Sequence, residues 1–198
     1  SYHDAENIDF TLIPPSAVIS GTVAFPEDAS PGDTARVSVF SPSTGSKGEV
    51  QVTFQDNPNV RYEVTGLLPA DDYAVSVWPD RYKSQYYDGT ESGSKGEADA
   101  NPVDTDSSEA GEISFVLEKG ATVSGGIFGD AVEGASGEDA EELYVEVWDS
   151  SGSAKTGTIL PDGTLMVEGL EESDEFYIVV HKPGVAPFFY SEEGTVRD

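Results

Sequence analysis

The sequence predicts an all-β protein made of two tandem β-sandwich domains, the second lacking its final strand. Three observations carry that expectation. Apolar residues alternate with polar ones in short runs, at Val37 and Val39, at Val50, Val52 and Phe54, at Tyr73, Val75 and Val77, and at Ile113, Phe115 and Leu117; this is the period of a strand buried on one face. Turn formers punctuate the runs, among them Pro31-Gly32, Thr44-Gly45, Asp162-Gly163 and Pro183-Gly184, and no stretch sustains a helical apolar stripe, residues 138–143 suiting a single turn at most. The third observation is an internal repeat. Ala17-Val18-Ile19-Ser20-Gly21 returns as Ala121-Thr122-Val123-Ser124-Gly125, Val37-Ser38-Val39-Phe40 returns as Val145-Glu146-Val147-Trp148, and residues 66–88 match 169–191 without a gap at an offset of 103.

Taken in order, residues 1–16 hold a strand and a linker, 17–118 the first domain and 121–198 the second. The first domain ends on Ile113, Phe115 and Leu117, three apolar side chains facing one way, after the acidic loop 88–111. The second stops at Asp198 with no such strand. The missing pattern sits at the other end of the chain, as Ile8, Phe10 and Leu12. Ten residues separate Val103 from Ile113, and ten also separate Val196, continued through Asp198 and Ser1, from Ile8. The chain therefore reads as one period of an array cut out of phase. It begins at Ser1 without a Met or an apolar leader, and a processed or excised product is expected.

Reach and energy make the first strand a donor to another copy. Between Leu12 and Ala17 lie only Ile13, Pro14, Pro15 and Ser16, a span of at most about 14 to 18 Å, whereas a domain of this size has a radius of gyration near ~13 Å. An empty seat for three apolar side chains forfeits ~1.5 to 3 kcal/mol for each, which rivals the total stability of a small domain. The sequence thus predicts that Ile8, Phe10 and Leu12 enter the second domain of a neighbouring unit by strand addition. The partners are copies of the same chain, head to tail.

Composition narrows the alternatives. With 10 Lys+Arg against 38 Asp+Glu, the net charge of -28 disfavours nucleic acid and anionic membrane. No apolar run approaches the ~18 residues of a membrane helix, so direct membrane insertion is not expected. The absence of cysteine removes disulfides and thiolate zinc sites. His3 and His181 are the only histidines, and no nucleophile elbow, zincin or phosphate-loop motif is present. A catalytic residue is not predicted.

Other clusters have a chemical reading beside an ordinary one. Asp104, Asp106 and Glu109, or Glu138, Asp139, Glu141 and Glu142, are candidate calcium ligands because hard cations want clustered oxygens; the ordinary reading is a hydrated acidic surface, and no other cofactor is expected. Tyr82, Tyr86, Tyr87 and Phe188, Phe189, Tyr190 offer rings to sugars, but their repeat in both copies favours packing in the hairpin or at the domain junction. Lys119 lies at a strand end where an isopeptide link would need an adjoining Asn or Asp.

Gly21-Thr22-Val23 near a domain start, Asp162-Gly163-Thr164-Leu165-Met166-Val167-Glu168-Gly169-Leu170 in mid-domain, and Gln85-Tyr86-Tyr87-Asp88 before an Ile-x-Phe-x-Leu end resemble bacterial carboxypeptidase-regulatory-like repeats, and the resemblance spans essentially the whole chain. It implies an Ig-like, prealbumin-like sandwich of seven strands, and a secreted or cell-surface stalk or spacer with no catalytic residue to carry over. Asp56-Asn57-Pro58-Asn59 stands where the pattern has an Asp-Gly turn, so a longer first hairpin is expected. The leading expectation is a structural subunit of an extracellular filament. The alternatives are a spacer in a larger adhesin or secreted-enzyme precursor, and a glycan-binding module.

Overall fold

The computed structural model describes residues 16–94, 96–106, 111–126, 144–149, 154–159, 163–173, 175–181 and 187–189. The fold is an all-β sandwich. In the first half, β1 (Ala17–Ala24), β4 (Asn59–Leu67) and β7 (Phe115–Val116) form one sheet in the order β4-β1-β7. The facing sheet has the order β3-β2-β5-β6, from β2 (Thr34–Phe40), β3 (Lys47–Thr53), β5 (Ala74–Pro79) and β6 (Gln85–Tyr86). Alternation decides which side chains meet between them. Ile19 and Val23 of β1, Val37 of β2, Tyr73, and Val75 and Val77 of β5 are inaccessible to solvent, each Val contributing ~1.5 to 3 kcal/mol of burial.

The second half repeats this pairing. Its strands are β8 (Ala121–Gly126), β9 (Tyr144–Asp149), β10 (Ala154–Ile159), β11 (Thr164–Leu170), β12 (Phe176–His181) and β13 (Phe188–Phe189). Ala17 pairs with Leu67 and Ile19 with Val64, as Ala121 pairs with Leu170 and Val123 with Val167. The register slip between those pairs is a bulge, and in each copy a glycine turns it: Gly66 at φ 79° and Gly169 at φ 72°, a left-handed conformation costly for other residues. Val37 faces Val77 and Val145 faces Val180, while Tyr86 pairs with Ser76 as Phe189 pairs with Val179. The first hairpin, residues 54–58 between β3 and β4, is one residue longer than residues 160–163 between β10 and β11.

Two differences separate the copies. The strands of the second half form one continuous sheet, β13-β12-β9-β10-β11-β8, because β10 bonds β9 through Ala154–Gly157 and then β11 through Thr158 and Ile159. Glycine permits the corner: a methyl at Gly157 would meet Val167 Cγ2 at 2.2 Å. The first half brings Gly48 just as close to Val64, 2.5 Å from its Cγ1, but β3 bonds β2 only. Hairpin register also shifts by two residues. Gly48 stands opposite Val39, whereas Lys155 stands opposite the corresponding Val147. A two-residue shift keeps every side chain on its face, so a lysine enters the inward-facing row.

The second difference concerns the edge. In the first half Ile113, Phe115 and Leu117 are all buried, and β7 runs parallel to β1 with Phe115 opposite Val23. In the second half β8 is, among the described residues, the end strand of its sheet; Ala121 and Val123 are half-buried where Ala17 and Ile19 are buried.

The paired glycines test this asymmetry. A methyl at Gly21 would lie 1.8 Å from the Ile113 carbonyl oxygen, while at Gly125 it meets nothing among the described residues within 4 Å. Gly21→Ala is expected to destabilise the first half by about 3 kcal/mol or more, and Gly125→Ala to change the isolated chain by less than about 0.5 kcal/mol. Urea unfolding of both variants checks the contrast.

Candidate strand-acceptor edge and junction cleft

The seat of β7 shows what a closing strand needs. The Ile113 amide donates to the Ser20 carbonyl at 2.9 Å and the Leu117 amide to the Ala24 carbonyl at 2.9 Å. From the other side the Tyr62 hydroxyl donates to the Ile113 carbonyl at 2.6 Å and the Gln85 side-chain amide to the Val116 carbonyl at 3.0 Å. Burial pushes the Tyr62 phenol well above its ordinary range, so it remains a donor. Gly21 supplies the space into which the Ile113 carbonyl fits. Because the rim contributes hydrogen bonds and the interior takes three side chains, β7 is both satisfied and buried.

On the repeat, β8 is the counterpart of β1, and Gly125 of Gly21. Leu165 stands where Tyr62 does, each paired with its glycine. The predicted donor residues Ile8, Phe10 and Leu12 lie outside the described residues, as do Glu109, Tyr190 and the 138–142 acids. Their in-chain equivalents Ile113, Phe115 and Leu117 lie together in the first core.

The two halves meet at a polar junction in which Tyr82 is the one residue the sequence marks, while Arg81, Asp33, Lys155 and Glu168 are not singled out there. Arg81 donates through Nε to Glu168 of β11 at 2.6 Å and through Nη1 to Asp33 at 3.2 Å. Burial drives the Asp33 carboxyl up, but the Ser30 amide, the Tyr82 hydroxyl and Arg81 outweigh it and hold Asp33 below the usual carboxylate range. Tyr82, buried and edge-on to Phe25, donates its hydroxyl to Asp33 at 2.9 Å. Its backbone lies so close to the second half that a methyl on Gly169 would fall 2.4 Å from the Tyr82 carbonyl oxygen. Lys155 reaches across to donate to the carbonyls of Pro79 at 2.6 Å and Tyr82 at 2.9 Å. Burial lowers its pKa to about 8, with the charges of Asp80 and Glu171 acting in the opposite sense. A signal for Lys155 was present: it falls on the inward phase with Gly157 and Ile159.

Beside this junction opens a cleft of about 770 Å³, lined on one side by Arg36, Gln51 and Trp78 and on the other by Lys155, Met166 and Glu168. The candidate aromatics Tyr82, Tyr86, Tyr87 and Phe189 are not among its lining residues. Tyr86 packs edge-on against Trp78, with ring centroids 5.8 Å apart. Tyr87 turns inward onto Phe115. Phe189 pairs through its backbone with Val179. Asp104 accepts from the Asp106 amide at 2.7 Å, and among the described residues no group of three His, Asp or Glu side chains gathers that could hold a metal. Lys119 forms an exposed ion pair with Asp28, and His181 stacks on Tyr144 and meets Glu146 Oε2 at 3.1 Å.

No protein-family model matches the chain, and no curated protein matches it. Among solved structures it is similar to a bacterial adhesin from Mobiluncus mulieris containing intramolecular disulfide, isopeptide and ester bond cross-links, at 13% identity over 85% of this chain and 81% of that chain, with a TM-score of 0.18. A superposition that loose carries no feature across. Among the described residues no helix is long and apolar enough to cross a membrane.

The lowered pKa of Lys155 sets the sign of one pH effect. Between about 8 and the ordinary 10.5 the unfolded chain holds a proton that the folded chain has shed, so this group makes stability rise with pH across that window. The full effect is on the order of 3 kcal/mol. Lys155→Met removes it, and the stability difference between wild type and variant is expected to grow from pH 8 to 10 in favour of wild type. A difference that does not vary with pH would mean a solvated amine.

Proposed function

We propose that the chain is a structural unit of an extracellular or cell-surface fibre, in which the strand of Ile8, Phe10 and Leu12 from one copy adds to the β8 edge of another. Residues 17–118 and 121–198 are then two sandwich domains, the second completed in trans. The observation that carries this reading is the pair of glycines: Gly21 is filled by the carbonyl of Ile113, whereas among the described residues nothing lies against its counterpart Gly125, on the end strand β8. The repeated register of β1–β4 and β8–β11, bulge included, supports treating the two seats as equivalent.

In the proposed joint the Ile8 amide takes the Ser124 carbonyl as the Ile113 amide takes that of Ser20, and the three apolar side chains enter the second core. Burial contributes roughly 5 to 9 kcal/mol before the cost of ordering the strand, and an exposed strand edge is removed. Because donor and acceptor surfaces differ, contacts propagate head to tail and need not close. The excess of carboxylates keeps lateral faces apart by repulsion, leaving the strand as the attractive contact. A hydrated, acidic exterior without cysteine suits such a unit outside the cell.

Assembly followed by electron microscopy and sedimentation tests the joint. Phe10→Asp is expected to abolish fibres by placing an unpaired charge in an apolar seat, at a cost of about 2 kcal/mol or more, while Asp9→Asn on the opposite face assembles normally. Gly125→Ala should leave the monomer's melting unchanged yet block its acceptor edge. A peptide of residues 5–14 should raise the second half's melting temperature in wild type and fail with Gly125→Ala. Equal assembly of Phe10→Asp and Asp9→Asn would overturn the proposal.

A further inference from the structure

The cleft beside the junction gathers cationic side chains in a chain that has few. Of the 10 Lys and Arg residues in the sequence, Arg36, Arg81 and Lys155 line this one cleft, against the carboxylates Asp80 and Glu168. Arg81 is taken up by Asp33 and Glu168, Lys155 by two carbonyls, and Asp80 by the Thr34 hydroxyl. Arg36 is not so committed. Its nearest ion-pair partner, Glu49, stands 4.0 Å away with both side chains more than half exposed, a contact of little worth. Its guanidinium is thus the cation with donors left for a ligand.

Register places an aromatic beside it. Arg36 lies opposite Trp78 on one neighbouring strand and Gln51 on the other, so the three form a row on the outer face of the sheet, directly opposed side chains standing about 5 Å apart. The indole is fixed on two sides: its N–H donates to the Ser76 hydroxyl at 2.9 Å, and Tyr86 packs against it edge-on. With its polar handle used, Trp78 has a ring face to offer. An apolar peptide side chain wants an enclosed apolar pocket; this is an open trough in which Trp78, Pro79 and Met166 alternate with polar side chains. A pyranose ring suits it better, since its C–H face packs on an aromatic surface while its hydroxyls meet amide and hydroxyl side chains.

We propose that this cleft binds an acidic oligosaccharide, with Trp78 beneath a sugar ring, Arg36 holding a uronate carboxylate through paired N–H donors, and Gln51 bonding the hydroxyls. Arg36 supplies the fork geometry that carboxylates accept. Three cationic side chains gathered in one cleft lessen there the repulsion that so acidic a chain exerts on an anion. The inference rests on other residues than the fibre joint: the trough is lined by β2, β3 and β5 on one side and by β10 and β11 on the other, whereas the joint uses the side of β8 that faces away from β11.

Calorimetric titration with hexameric oligogalacturonate, cellohexaose and polyglutamate tests the proposal on the full chain. Saturable binding of the uronate at about 1 mM or tighter is expected, with cellohexaose and polyglutamate each at least about tenfold weaker. Arg36→Gln, an exposed change, should reduce uronate affinity to the level of the neutral sugar, and Trp78→Ala should remove binding of both sugars. Absence of saturable uronate binding up to about 10 mM would overturn the proposal. So would equal affinity for polyglutamate, which would mark a site for any polyanion, or uronate binding unchanged in Arg36→Gln.

Discussion

The close approach of a final strand to β1 is the constraint on which the first half depends. Ile113 can place its carbonyl against β1 because Gly21 has no side chain there, and the Tyr62 hydroxyl then satisfies that carbonyl from across the sheet. Once the backbone is seated, Ile113, Phe115 and Leu117 point inward and complete the cluster around Tyr73, Val75 and Val77. Backbone satisfaction and apolar burial arrive together, since an unpaired edge would expose both. The second half has the same first strand, bulge and glycine, and among the described residues no strand lies on the outer side of β8, where Ala121 and Val123 are only half-buried.

The junction works by a different principle. Its groups are charged or polar, and each has a partner: Arg81 between Asp33 and Glu168, Tyr82 on Asp33, Lys155 on two backbone carbonyls. Such contacts are directional, and they occur where Gly169 allows the backbone of Tyr82 to approach within van der Waals limits. Linking them, the Lys83 amide donates to the Glu118 carbonyl at 2.9 Å, tying the connecting segment to the first half immediately before β8 begins.

Much of this was legible in residue order. Period-2 alternation located β2, β3, β5 and the Ile113 to Leu117 strand because each buries one face, and the repeat marked β1 and β8 and the correspondence of Tyr73 to Phe176 and of Gly66 to Gly169. Tyr86 and Tyr87, adjacent in sequence and candidates for sugar stacking or packing, turn apart, one onto Trp78 and one onto Phe115. The single curled sheet of the second half was not legible. It depends on where β10 leaves β9 for β11, and hairpin register there differs by two residues from the first copy.

What the sequence by itself determined was the strand content, the tandem repeat and the phase of each inward-facing row, because these follow from local periodicity and from glycines at fixed places. Only the tertiary structure decided the environments. Gly21 and Gly125 occupy the same motif, yet Gly21 is filled by the Ile113 carbonyl and nothing among the described residues lies against Gly125. Arg36 meets Trp78 through the pairing of β2 with β5, and Lys155 finds the Pro79 carbonyl 76 positions away. Local pattern specifies which face a side chain takes, whereas its partner on that face depends on register and approach between segments distant in sequence.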